Sequence, residues 1–425
     1  MANFWITKMT TNKSEKSYTA IIAISICWMF YLYSYVARVE PSVLVNDLMN
    51  DFGITSSVVG FVISIMYIPY VFMQIPCGII TDKLGIKTMI VGSSALCALG
   101  SFVFGSASSI LQLEIGRFLI GLASASAFLC CGKVASDFFD KKKYAMLMGI
   151  AMCMGCFGGI AGTAPTAFLV GKIGWRNTTY VIAIVGIILA LVAVIFMKQK
   201  KSAQTDKKIK LLDGVKILAK NPRAWILGFY GAMTYLPLSA LAELWSVPFM
   251  EQRFSIPTEK AAIPSIIIFI GFGLGGVISA WVAEKINSYK KTIIMFTVGV
   301  ILSFWVALYN DSIGFYSCLT AMFVGGVCAG ANTLAFVIAY NLVPPQFGGT
   351  SAGFTNALIM SSGIIFQPLL GKLLDFFRNG MVTENGTPIY TLTMYRSAFL
   401  FVIVGMLLAI FATFFINDIK HKEEA

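Results

Sequence analysis

Between Asp311 and Lys372 the chain runs sixty residues without one charged side chain. A helix facing water needs a polar stripe, and a soluble domain needs charge on its surface, so this stretch belongs in a non-aqueous solvent. A bilayer core takes about 20 apolar residues per helix. The turn-forming sequence Asn341-Leu-Val-Pro344-Pro345-Gln-Phe-Gly348-Gly349 splits the stretch into two such helices. Charges delimit ten more runs: Lys16 to Arg38, Asp51 to Asp82, Lys87 to Glu114, Ile110 through Arg117 to Lys133, Lys143 to Lys172, Arg176 to Lys198, Arg223 to Glu243, Lys260 to Glu284, Lys291 to Asp311 and Arg396 to Asp418. Twelve spans result. The expected fold is an all-α polytopic membrane protein, since the runs are too long for barrel strands.

Composition agrees. Hydrophobic residues make up 57% of the 425 and charged residues 12%, against roughly 25% charged in average soluble chains. That excludes an ordinary cytosolic enzyme, a disordered regulator and a nucleic-acid-binding domain. The net charge of +12 reflects where the lysines lie. With the N-terminus inside, the cytoplasmic segments hold Lys83 and Lys87, Lys141 to Lys143, Lys198 to Lys220, Lys285 to Lys291 and Lys420, whereas the outer loops hold Lys172, Arg176, Arg253 and Arg378. The expected organisation is a cytoplasmic tail over 1–17, a six-helix bundle over 18–197, a basic cytoplasmic loop over 198–222, a second six-helix bundle over 223–416 and a cytoplasmic tail over 417–425. The polar start followed by a long apolar run reads as a first span, not a cleavable signal.

Several chemistries are excluded. All nine cysteines lie in apolar segments and read as small hydrophobes, the Cys153-x-x-Cys156 pair included. The single histidine, His421, sits in the tail, so no metal site is expected and any proton carrier must be a carboxylate. Gly271-x-Gly273-x-x-Gly276 matches a dinucleotide fingerprint, but it lies inside span 8 with no strand before it. No Walker, HExxH or Ser-His-Asp pattern appears, so neither enzyme nor cofactor is expected.

The halves carry traces of duplication. Gly78-Ile-Ile-Thr-Asp82-Lys83-Leu-Gly85-Ile-Lys87 follows span 2, and a degenerate copy, Ala280-Trp-Val-Ala-Glu284-Lys285-Ile-Asn287-Ser-Tyr-Lys290, follows span 8. Spans 5 and 11 both carry a late proline, Pro165 and Pro368, followed by Gly171-Lys172 and Gly371-Lys372. Paired glycines at 155/159, 158/162, 326/330 and 349/353 predict close helix packing.

Ionisable groups within spans are expensive, about 2.5–3.5 kcal/mol each on insertion scales, and mark sites by default. Tyr31, Ser34, Tyr35 and Arg38 share one helical face of span 1. Arg38 suits a carboxylate or phosphate, or a permanent pairing with Glu40 or a neighbouring helix. Tyr235, Ser239 and Glu243 share a face of span 7. Glu243 can receive an amine, carry a coupling proton, pair with Arg38, or snorkel at the interface. Glu40 and Asp47 are expected to face the outer vestibule. Glu114 and Arg117, three apart on span 4, can pair within the helix, and Lys133 is expected to snorkel. Asn332, Asn356 and Gln367, with Gln74, are either ligand contacts or interhelical glue.

The loop Gly78, Asp82, Lys83, Gly85, Lys87 resembles the signature loop of the major facilitator superfamily. Arg117-Phe-Leu-Ile-Gly121 and Gly171-Lys-Ile-Gly174-Trp175-Arg176 are similar to further motifs of that family. Tyr33-Ser-Tyr35-Val-Ala-Arg38-Val-Glu40-Pro41-Ser42-Val43 and Gly353-Phe-Thr-Asn356 with Phe366-Gln367-Pro368-Leu-Leu-Gly371 resemble a bacterial branch that includes phagosomal amino-acid transporters, related to lysosomal dipeptide carriers. The resemblance implies two pseudo-symmetric six-helix bundles that rock about a midplane site lined by spans 1, 4, 7 and 10. It gives Arg117 a structural or proton-coupling role, and Asp82 that of a cytoplasmic latch closing on the N-terminal end of span 11. The expected function is secondary transport of an amino acid or short peptide in symport with protons, with substrate contacts from Arg38, Tyr31, Tyr35, Tyr235, Glu243, Asn332, Asn356 and Gln367, and coupling or ion-pair roles for Glu40, Glu114, Arg117 and Glu243. An organic-anion carrier that uses Arg38 without Glu243 is the alternative, and a non-transporting receptor or assembly protein on the same fold is a third. The expected setting is a bacterial inner membrane, as a monomer with both termini cytoplasmic, with no nucleic-acid partner.

Overall fold

The computed structural model describes residues 2–74, 76–198, 211–344, 347–382, 388–416 and 418. Most of the basic central loop, the histidine of the tail and most of the tail itself lie outside the described residues. Twelve helical spans cross the molecule: Tyr18–Val43, Ser56–Met73, Ile86–Gly105, Ile110–Phe138, Met146–Ile173, Trp175–Phe196, Pro222–Phe254, Thr258–Ile286, Tyr289–Tyr309, Phe315–Tyr340, Gly348–Arg378 and Leu392–Thr413. They are numbered 1 to 12 in that order. Both ends of this run, Tyr18 and Thr413, lie on one face, here the terminal face, because the number of spans is even.

Burial sorts the spans. Span 7 is 83% buried along its apolar window and span 6 only 33%. The former is a central element, and the latter turns residues such as Ile184, Ile188 and Leu191 outward. Spans 1, 7 and 10 change helix type where they meet the core. Span 1 tightens to a 3-10 turn at Glu40–Val43. Span 7 widens to a π-helix over Pro237–Trp245, and span 10 tightens at Gly330–Thr333. Pro41 and Pro237 lack the N–H that an α-helix would use there, and π segments are frequent at functional sites.

The two six-helix bundles meet along two seams, span 2 on span 11 and span 5 on span 8. Glycine permits the approach. A Cβ on Gly60 would lie 2.5 Å from the Gln367 carbonyl oxygen, and one on Gly371 would lie 2.2 Å from that of Ser56. The expected glycine contacts hold for Gly158 against the Leu32 carbonyl and Gly326 against the Ile268 carbonyl. They do not hold for Gly349 and Gly353, which face open space.

The halves converge at the face opposite the termini. There the Glu40–Val43 turn packs on the Pro237–Trp245 segment, and the Ala164–Ile173 end of span 5 packs on Thr258–Ala261. The Asn46 amide bridges the halves to Glu251 at 2.7 Å. The short helix Val45–Phe52 is tied to span 6 by Asp51, which accepts from Trp175 at 2.9 Å and Arg176 at 2.7 Å. Asp47 on the same helix is half-buried, and burial, then Asp51 and Glu251, push its carboxyl up. At the terminal face Pro76–Leu84 and Ala127–Phe138 pack within their own half. The contacts between the halves are thus concentrated at the face opposite the termini.

Candidate functional site

Arg38 is 3% exposed at the centre of the molecule. Its guanidinium carbon lies 4.5 Å from the Tyr35 ring centre, 4.7 Å from Tyr70 and 5.7 Å from Tyr67. The aromatic faces offset part of its desolvation, at about 2 kcal/mol for a buried cation–π contact. Nη1 reaches the Met360 sulfur at 3.8 Å, and Nε has no partner among the described residues. No carboxylate there comes within ion-pair distance of Arg38. A buried guanidinium without a carboxylate keeps its planar donor fork for another anion.

Glu243, 1% exposed on the π segment, does not snorkel and does not pair with Arg38. One carboxylate oxygen accepts the Tyr235 hydroxyl at 3.0 Å and the other accepts the Tyr67 hydroxyl. Gln367 of span 11 donates to the Ser239 carbonyl at 2.7 Å and to the Tyr67 oxygen at 3.4 Å, and its own carbonyl oxygen has no partner among the described residues. The Asn356 amide reaches the Tyr70 hydroxyl at 3.4 Å. A chain of contacts therefore runs from Arg38 through the span 2 tyrosines to Glu243, Asn356 and Gln367. A small cavity adjoins it, lined by Tyr31 and Tyr35 from span 1, Cys156 from span 5, Leu238 from span 7, and Phe269 and Phe272 from span 8.

Sequence reasoning missed Tyr67 and Tyr70. Their signal was available: two polar-tipped aromatics three apart in an otherwise apolar span, Tyr67-Ile-Pro-Tyr70. Tyr31 packs edge-on to Tyr35 at 5.2 Å. Ser34 bonds its own helix at the Tyr31 carbonyl, 2.8 Å away, and so joins no site.

Other expectations are corrected. Glu40 does not face a vestibule: it is 0% exposed, one oxygen accepts the Thr179 hydroxyl of span 6, and the other has no partner among the described residues. Neither does it hold Arg38. Arg117 does not pair with Glu114. It turns inward to the Ala37 carbonyl at 2.8 Å and the Arg38 carbonyl at 3.2 Å, because buried acceptors at the kinked end of span 1 need a donor. Arg117 therefore fixes the backbone that carries Arg38. Asn332 lies apart from the cluster, bonding the Gly231 carbonyl and Thr234 hydroxyl of span 7 at 2.7 and 2.8 Å. Gln74 donates to its own helix at Tyr70.

In the loop motif, Asp82 is held by Lys133 at 2.7 Å instead of by span 11, so Lys133 is an ion-pair partner. Lys83 is exposed, and Lys87 donates to the Val194 carbonyl at 2.7 Å. Gly85 starts span 3 at φ +83°, a conformation that disfavours a side chain. Gly78 is loosely packed, with 3.7 Å from a Cβ to Leu129. Among the described residues no His, Cys, Asp and Glu cluster could hold a metal ion.

Twelve spans in two bundles, joined by seams around a buried polar cluster, define a polytopic transporter. The sequence model of the Major Facilitator Superfamily matches residues 19–368, and the chain belongs to that family. It is a transporter and not an enzyme. It is 27% identical over 375 residues to the probable nitrate transporter NarT of Staphylococcus carnosus, covering 84% of this chain and 89% of that one. It is 22% identical over 435 residues to the probable galactarate/D-glucarate transporter GudP of Escherichia coli, covering 92% of each. A crystal structure of a bacterial homologue of the human lysosomal transporter Spinster, in an inward-facing and occupied conformation, shares the fold with a TM-score of 0.75 at 16% identity, covering 92% of this chain and 96% of that one.

Proposed function

We propose that the chain carries a small anionic solute by rocking its two bundles about the central cluster, with Arg38 receiving the acid group. The observation behind this reading is a buried guanidinium with no carboxylate within ion-pair distance among the described residues, while the nearby Glu243 carboxylate is already bonded to two phenols. A carboxylate-type ligand forms charge-assisted, forked bonds with such a group. The names of the relatives, nitrate and galactarate/D-glucarate transporters, support an anion. A second reading, an amino acid or short peptide, is favoured by Glu243. Its carboxylate lies in the same cluster as Arg38, and a substrate ammonium can replace a phenol as its donor.

The bundles are assigned to 18–197 and 223–416, acting as a monomer. Lysine-rich segments assign the terminal face to the cytoplasm of a bacterial inner membrane, which makes the present conformation inward-facing. Proton coupling is assigned to Glu40, whose free oxygen is buried beside Thr179, and to Glu243.

Uptake into proteoliposomes tests the reading. The panel holds nitrate, sugar acids, other organic anions, amino acids and dipeptides, each with and without an inward proton gradient. Anion uptake lost in Arg38→Ala but kept in Glu243→Gln supports the first reading. Zwitterion uptake lost in both supports the second. Uptake unaffected by Arg38→Ala refutes both, and uptake that ignores the gradient removes proton coupling.

A further inference from the structure

The first turn of span 2 lacks a cap of its own. Thr55, which precedes helix Ser56–Ser64, makes no side-chain capping bond. The opening N–H groups of a helix need acceptors and favour negative charge. Here the second bundle supplies them. The Ser57 N–H donates to Asp375 Oδ2 at 2.9 Å, and the Ser57 hydroxyl donates to the same oxygen. The Ser56 N–H donates to the Tyr390 hydroxyl at 3.0 Å, and that hydroxyl donates to the other Asp375 oxygen. Asp375 lies one turn beyond Gly371, where the backbones of spans 2 and 11 touch.

We propose that Asp375, braced by Tyr390, is a latch that closes the face opposite the termini by capping span 2 from the other bundle. When the bundles rock the other way, this face opens only if Ser56 and Ser57 leave Asp375 and Tyr390. The latch thus sets the balance between the two conformations. Among the described residues the same paired cap is not repeated on the span 5 and span 8 seam, where Gly171 instead faces the Glu259 carboxylate. On the span 5 and span 8 seam, the residue one turn past Gly171 is Trp175, which donates to Asp51 within its own half. Asp82, at the other end of the span 2 and span 11 seam, is turned to Lys133, as expected of a molecule latched at the opposite face. Among the described residues Asp375 bonds Ser57 and Tyr390 and no member of the central cluster, so it acts as a positioning residue for the closed face and not as a substrate contact.

The inference rests on the rocking motion proposed above, so its test reads conformation without transport. Amide hydrogen exchange would be followed by mass spectrometry on the full chain in nanodiscs, in wild type, Asp375→Ala, Asp375→Glu and Tyr390→Phe. Loss of a charge-assisted cap predicts exchange over 55–62 faster by about tenfold in Asp375→Ala, with a smaller rise in Tyr390→Phe and partial recovery in Asp375→Glu. Exchange over 76–86 at the terminal face is expected to slow as that face closes. Unchanged exchange over 55–62 overturns the latch, as does a rise shared by all twelve spans. If Asp375→Ala does not fold, Tyr390→Phe and Ser57→Ala carry the same comparison, and no change over 55–62 in both overturns it. A chain that transports no tested solute but shows the paired shift keeps the latch and loses only the substrate reading.

Discussion

Tyr67 of span 2 donates its hydroxyl to Glu243 of span 7, across the boundary between the bundles, while its ring lies 5.7 Å from the Arg38 guanidinium. One phenol therefore touches both buried charges of the cluster and stands between them. Binding an acid group at Arg38 and moving span 7 relative to span 2 both act on the same side chain. Tyr67→Phe keeps the ring and removes the hydroxyl. Among the described residues Glu243 then retains only Tyr235 as donor. Losing a bond to a buried charged group costs about 1.5–3 kcal/mol. The expected result is a folded protein with a lower Tm and uptake reduced by about tenfold or more, checked by thermal unfolding and proteoliposome flux.

Arg38→Lys is expected to fail nearly as fully as Arg38→Ala. A lysine keeps the charge but lacks the planar fork, and stacks less well on Tyr35 and Tyr70. Initial uptake rates of the variants, scaled to the amount of folded protein, check this. Retained uptake in Arg38→Lys reduces the role of Arg38 to a point charge.

Arg117→Ala removes the donors to the Ala37 and Arg38 carbonyls within the first bundle. Buried acceptors left unpaired cost about 1–3 kcal/mol each. The expected outcome is a loss of stability together with weaker substrate affinity, because the backbone holding Arg38 is released. Glu114→Gln, by contrast, is expected to change neither. Thermal unfolding and uptake across substrate concentrations separate the two effects.

Asp311 joins Arg396 between spans 9 and 12, with one oxygen 3.1 Å from the guanidinium and the other closer. The hydrogen bond from Arg396 holds the carboxyl below its ordinary value. A depressed carboxylate stabilises the fold at pH above the usual aspartate range, near 3.9, and that contribution fades as pH falls through the lowered value. The Tm difference between wild type and Asp311→Asn is therefore expected to be present at pH 7 and to shrink toward zero in strong acid. A difference that grows on acidification contradicts the sign.

Gly371→Ala places a Cβ 2.2 Å from the Ser56 carbonyl oxygen, which only backbone movement relieves. The seam between spans 2 and 11 is expected to open at the face opposite the termini, with faster exchange there. Gly353→Ala faces open space and is expected to leave exchange unchanged.

The sequence by itself determined the number of spans, the two-bundle organisation and the position of Arg38 and Glu243 inside apolar helices. Charge spacing against bilayer thickness decides the first, and the high cost of intramembrane charge singles out the last. It did not determine partners. Spacing along one helix places residues on a face but says nothing about the helix opposite, so it pairs Arg117 with Glu114 and points Glu40 at a vestibule. Tyr67, Tyr70 and Asp375 gained their roles only when span 2 was laid against spans 1, 7 and 11. The π segment of span 7 changes which side chains face inward, and regular helical periodicity does not anticipate it. Which face is closed was likewise decided by tertiary contacts. Asp82 and Asp375 are both aspartates at the end of a span, and only packing shows that the first rests on Lys133 while the second caps the neighbouring bundle.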